Sequence, residues 1–75
     1  MPRKSEPSLR NRIRTLRTES TTMTQQDLAN RLGVTRQTVI ALEREGYTPS
    51  LALAMRIAET FETSVENLFW FEDTE

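Results

Sequence analysis

Residues 25–44 read QQDLANRLGVTRQTVIALER, and the spacing of small and apolar residues in this stretch predicts two short helices locked across a tight turn. Ala29 falls four residues after Gln25, where a larger side chain would hold the second helix away. Gly33 follows four residues later, where the chain must turn, and glycine takes up the left-handed backbone that ends a helix without steric penalty. Val39 and Leu42 then return to the core, with Leu28, Leu32 and Val34 packing around the corner. Each residue is ordinary alone. Together they set the angle at which the second helix is presented, and a helix presented in this way can enter the major groove of DNA.

At 75 residues the chain can hold one domain with a small core, near the lower size limit for folding without disulfides, metals or a partner. It has no Cys and no His. That removes thiolate nucleophiles, imidazole bases and the usual zinc ligands, and leaves carboxylates alone for acid–base chemistry. Glu43 and Glu45 are close in sequence but point to different helix faces, so no catalytic pair is expected, nor any cofactor or metal. There is no apolar run of about 18 residues, and Arg3 and Lys4 are followed by no signal-peptide core. The expectation is a soluble cytoplasmic protein associated with the nucleoid, with no membrane partner.

A formal net charge of -1 and a pI near 5.5 look wrong for a DNA-binding chain until the charges are placed. Residues 1–42 carry eight basic side chains against three acidic ones, a net +5. Residues 43–75 carry two basic against eight acidic, a net -6. A basic half facing phosphates and an acidic half facing away would steer binding and limit non-specific adhesion; the alternative is that both runs are solvated faces.

Along the chain, residues 1–7 (MPRKSEP) are polar and broken by Pro2 and Pro7, which predicts a flexible N-terminal arm. Residues 8–71 form the expected domain, and residues 72–75 an acidic tail. Leu9, Ile13 and Leu16 recur at helical spacing, so a first helix is expected from Ser8, its cap, to about Thr18. Thr24 with Asp27 caps a second helix ending near Leu32. Thr35 caps a third over residues 35–45, which Gly46 stops. Ser50 caps a fourth, with Leu51, Ala54, Ile57, Ala58 and Phe61 on its apolar stripe and Leu53 broadening it. Ser64 caps a short fifth containing Val65 and Leu68. No strand-like alternation or internal repeat is evident, so the predicted class is all-α, a compact five-helix bundle.

With Val39 and Leu42 turned inward, Arg36, Gln37, Ile40, Ala41 and Arg44 occupy the other faces of the third helix. Arg36, Gln37 and Thr38 lie in its first turn, the part of a recognition helix that goes deepest into the groove. Arg can donate a bidentate pair to guanine, Gln can pair with adenine, and Thr can offer its methyl to thymine or its hydroxyl to an edge. Ala41 is small enough to allow close approach. Ile40 has three readings: contact with thymine methyls, packing on helix 1 or 4, or no role at the DNA edge. Gln25 and the cap residue Thr24 stand where helix 2 offers free N–H groups to a phosphate. Arg44, Tyr47 and Thr48 are a second candidate phosphate clamp, although the Tyr47 ring could instead pack beneath its loop. Arg17 and Glu43 are paired as a structural ion pair between helices 1 and 3.

The phrases MTQQDLANRLGVTRQTVIALE, GYTPSLALAMRIAETF and SVENLF make the chain resemble the Cro/cI-type (XRE) family of bacterial and phage regulators from about Leu9 to Phe71. The resemblance implies a lambda-repressor-like domain with its helix-turn-helix at helices 2–3, binding palindromic double-stranded DNA operators as a homodimer, usually as a repressor. By position, Gln25 matches the family's phosphate-contacting glutamine, Arg36, Gln37, Thr38 and Ala41 its base-reading positions, and Arg17 and Glu43 its structural pair. The chain departs from the pattern in a slightly longer loop over residues 18–23 and in Ile40, which stands where a small or polar residue is usual.

Two domains on a two-fold axis read half-sites one helical turn, about 34 Å, apart. Val65, Leu68, Phe69, Trp70 and Phe71 are the candidate dimer interface, because they exceed what a short last helix needs to cover; the alternative is that Leu68, Phe69 and Trp70 fold back to complete the core. A competing function is an antitoxin or adaptor, whose apolar C-terminal segment would dock on a protein partner of unknown identity.

Overall fold

The structure, a computed structural model, describes residues 8–72; the expected arm over residues 1–7 and the last three residues of the expected tail lie outside the described residues. The elements run β1 (Ser8–Asn11), α1 (Ile13–Ser20), α2 (Gln25–Leu32), α3 (Arg36–Glu43), α4 (Leu51–Thr60), α5 (Val65–Leu68) and β2 (Phe69–Glu72). The five expected helices are present. A two-stranded antiparallel sheet joins the two ends of the described chain.

The helix starts follow from local chemistry. Thr24 Oγ1 accepts the Asp27 N–H at 3.0 Å while the Asp27 carboxylate accepts the Thr24 N–H at 2.9 Å, so two otherwise unpartnered donors are satisfied reciprocally. Thr35, Ser50 and Ser64 cap α3, α4 and α5 through the first of these bonds alone, each accepting an N–H three residues on. Gly33, with φ 74°, ends α2 in the left-handed conformation, and the Val34 N–H then closes on the Ala29 carbonyl at 3.0 Å. This is the turn that swings α3 across α2.

Ile13, Leu28, Ala29, Leu32, Val39, Leu42, Leu53, Ala54, Ile57, Ala58, Leu68 and Phe69 form one buried cluster, with Leu9, Leu16, Met23, Val34, Phe61 and Val65 partly buried around it. Ala29 and Val39 are fully enclosed, so α2 and α3 approach closely at the corner. Each fully buried Leu or Ile contributes about 1.5–3 kcal/mol. This buried cluster contains no polar or charged residue.

The structure corrects five sequence expectations. Ser8 does not cap a helix: residues 8–11 are a strand whose partner is the aromatic segment 69–72, in the register Leu9↔Phe71, Arg10↔Trp70 and Asn11↔Phe69. α1 starts later, where the Asn11 side chain accepts the Ile13 N–H at 3.0 Å, and it runs through Ser20 rather than stopping near Thr18. Glu72 is the last residue of β2 rather than the first of a tail. Gly46 does not supply the left-handed residue after α3; Glu45 does, with φ 64°. Leu51 is 70% exposed rather than in the apolar stripe of α4, whose buried face is Leu53, Ala54, Ile57 and Ala58.

Candidate nucleic-acid interface

The corner formed by α2 and α3 projects the N-terminal turn of α3 outward. Arg36 and Gln37 are exposed there, on the face away from buried Val39 and Leu42. Arg36 borders a cleft with Thr24, Gln25 and Gln26, so the starts of α2 and α3 lie side by side. Thr38 is half-buried, and its hydroxyl sits 3.0 Å from that of Thr35. It is therefore partly engaged in holding the start of its own helix. Ala41 is half-buried one turn after Gln37.

Behind this edge lies a hydrogen-bonded set that orients it. Arg17 Nε donates to Glu43 Oε2 at 2.6 Å and Arg17 Nη2 to Glu43 Oε1 at 3.1 Å, a two-pronged pair between α1 and α3. The side chains are 12% and 4% exposed, so little solvent screens the pair. Donation to the Glu43 carboxylate raises the Arg17 pKa further above its already high value, against the opposing effect of burial. Arg17 Nη1 also donates to the Met23 carbonyl at 3.0 Å, which ties down the loop before α2. Gln25 Nε2 donates to Glu43 Oε1 at 3.1 Å. One amide hydrogen of Gln25 is thus occupied, while the second stays available for an outside acceptor.

The far end of α3 is held by the sheet. The Glu45 carboxylate accepts the Asn11 N–H at 3.0 Å and Arg10 Nε at 2.8 Å, and Arg10 also bridges to Glu72. Asn11 Nδ2 donates to the Leu42 carbonyl at 3.0 Å. The Asn11 N–H lowers the Glu45 pKa below the usual carboxylate range; partial burial opposes the shift and Arg10 reinforces it. Arg44, Tyr47 and Thr48 are exposed beside this tether and line one cleft with it. Tyr47, 46% exposed, is only half covered by its loop.

Across β1 and β2 from this cleft, an apolar groove is lined by residues that include Leu9, Leu51, Ala54, Val65, Trp70 and Phe71. Leu68 is fully enclosed, and Phe69, 9% exposed, belongs to the core while also lining the groove. The fold needs their volume. Trp70 and Phe71 remain outside, and the Arg12 guanidinium lies 4.9 Å from the Trp70 ring centroid.

The geometry agrees with the comparisons. A helix-turn-helix family model matches residues 13–68, from the start of α1 to the end of α5. The chain belongs to the Cro/cI-type (XRE) helix-turn-helix family. It is accordingly a DNA-binding transcriptional regulator, similar to an uncharacterized HTH-type transcriptional regulator of Methanocaldococcus jannaschii, with 53% identity over 71% of this chain and 80% of the relative. An uncharacterized HTH-type regulator of Archaeoglobus fulgidus is 46% identical over 89% of this chain and 94% of its own length. Another, from Bacillus subtilis, is 40% identical over 87% and 97%.

Several residues of this XRE regulator that shape the interface carry weak sequence signals. Asn11 carries a sequence signal, since Asn side chains often bond a backbone N–H two residues on, but the apolar spacing of Leu9, Ile13 and Leu16 masks it. Glu45 carries no local signal, because its partners lie on β1. Leu51 looks like core by spacing alone.

Proposed function

We propose that this regulator is a repressor that binds a palindromic operator as a homodimer, with α3 in the major groove. Arg36 and Gln37 read base edges. Ala41 permits close approach, and Thr38 contributes its methyl while its hydroxyl stays with Thr35. Thr24, Gln25, Arg44, Tyr47 and Thr48 hold the backbone. Occupancy of the operator is sufficient for repression, by excluding other proteins from the same DNA. The observation that carries the reading is the exposure of Arg36 and Gln37 at the outer, N-terminal end of α3, on a helix whose C-terminal end is held by Arg17–Glu43 and by the Glu45 tether to β1. In this reading the dimer forms through the groove that includes Val65, Trp70 and Phe71, with Leu51 added.

Selection of bound duplexes from a random pool tests this. A palindrome with half-sites about one helical turn apart is the expected product. Arg36→Ala and Gln37→Ala should each relax preference at one position per half-site, by about 1–3 kcal/mol of discrimination, whereas Gln25→Ala should weaken all sequences alike. Recovery of no sequence above the random background would overturn the reading.

A further inference from the structure

A cleft beside α3 gathers Arg14, Arg17, Gln25, Ile40, Glu43 and Arg44. Glu43 is taken up by Arg17, which leaves Arg14 and Arg44 as its two exposed guanidinium groups with no ion pair among the described residues. Arg14 comes from α1, one turn before Arg17, and Arg44 from the residue that caps α3. Ile40 lines the same cleft, half-buried. Its place in this cleft accounts for an apolar residue on a polar helix face.

We propose that Arg14 and Arg44 form a seat for the DNA backbone in which each neutralises one phosphate, with Ile40 as the apolar floor between them. The inference rests on the DNA-binding reading above and adds Arg14, a residue of the first helix, to the contact surface. Three physical arguments carry it. A guanidinium presents several N–H donors in a planar fork that matches phosphate oxygens. Long Arg stems lie readily along an apolar surface while the charged head reaches outward, so Ile40 steadies both arms. The same apolar floor keeps water from one side of each ion pair, which strengthens it relative to an open surface pair. Gln25, whose amide opens into the same cleft, extends the line of donors along α2.

Binding to a fluorescein-labelled mixed-sequence duplex of about 30 base pairs, followed by anisotropy between about 50 and 200 mM salt, provides the test. Arg14→Ala and Arg44→Ala should each flatten the slope of log K on log salt by about 0.9, and the double variant by about twice that. For Arg14→Ala, the wild-type advantage should then shrink about 3.5-fold across that salt range. Arg56→Ala, which removes an exposed cation from α4, should leave the slope unchanged. An unchanged slope for Arg14→Ala overturns the seat while leaving the DNA-binding reading intact, as does an equal change for Arg56→Ala, which would mark a general charge effect. Absence of salt-dependent binding in the wild type overturns both.

Discussion

Glu43 serves two partners through one carboxylate: Arg17, which bridges to α1, and Gln25, at the start of α2. With the Glu43 side chain 4% exposed, removing Arg17 would strand a charge that water solvates poorly. Arg17→Met should therefore cost about 3–5 kcal/mol in chemical denaturation. Adding Glu43→Leu should recover most of that loss, since an apolar pair of similar volume carries no desolvation penalty. If the double variant is as unstable as the single one, the cost lies in packing rather than in the stranded charge. The chemistry of this pair was legible in the sequence. That Gln25 joins it was not, because Gln25 and Glu43 are 18 positions apart and meet only when the corner between α2 and α3 closes.

At the scale of elements, α3 and α4 end alike. Glu45 and Glu62 both occupy the left-handed position, at φ 64° and 56°, and the next residue's N–H reaches back to the Ala41 and Ala58 carbonyls at 3.0 and 2.9 Å. A side chain there costs about 1–2 kcal/mol relative to a relaxed backbone. Glu45 offsets that with two hydrogen bonds to β1, whereas no hydrogen bond involves the Glu62 side chain among the described residues. Glu62→Gly should stabilise the fold by about 0.5–1 kcal/mol. Glu45→Gly should be neutral or destabilising, because it relieves the same backbone and loses the tether. Thermal unfolding of the two variants side by side measures the difference; equal stabilisation would show that the tether contributes nothing. The helix caps at Thr24, Thr35, Ser50 and Ser64 could be read from sequence because each acts within three residues. The identity of the left-handed residue could not, since Gly46 is the better local candidate, while the contacts of Glu45 with Arg10 and Asn11 come from residues more than 30 positions away.

For the whole molecule, the recognition edge at the starts of α2 and α3 and the apolar groove beside β2 are lined by different residues. Leu51, Met55 and Phe71 are 70%, 54% and 68% exposed, a concentration of apolar surface that a two-fold partner would cover. Leu51→Lys and Phe71→Lys should convert a dimer to a monomer in sedimentation equilibrium while changing stability by less than about 0.5 kcal/mol. Operator affinity should fall, with the preference within each half-site retained. A wild type that stays monomeric off DNA and co-purifies in stoichiometric amount with a different protein would favour the adaptor function instead. The sequence by itself determined the corner between α2 and α3, the capped helix starts and the outward faces of Arg36 and Gln37, because apolar spacing and capping act over one or two turns of chain. Only the tertiary structure decided that residues 8–11 pair with residues 69–72, that Leu68 and Phe69 go inside while Leu51 stays out, and that Glu45 ties α3 to the sheet. The physical reason is separation: strand pairing and tethering join groups as much as 64 positions apart, Ser8 and Glu72, and neither segment carries a periodic signal for so distant a partner.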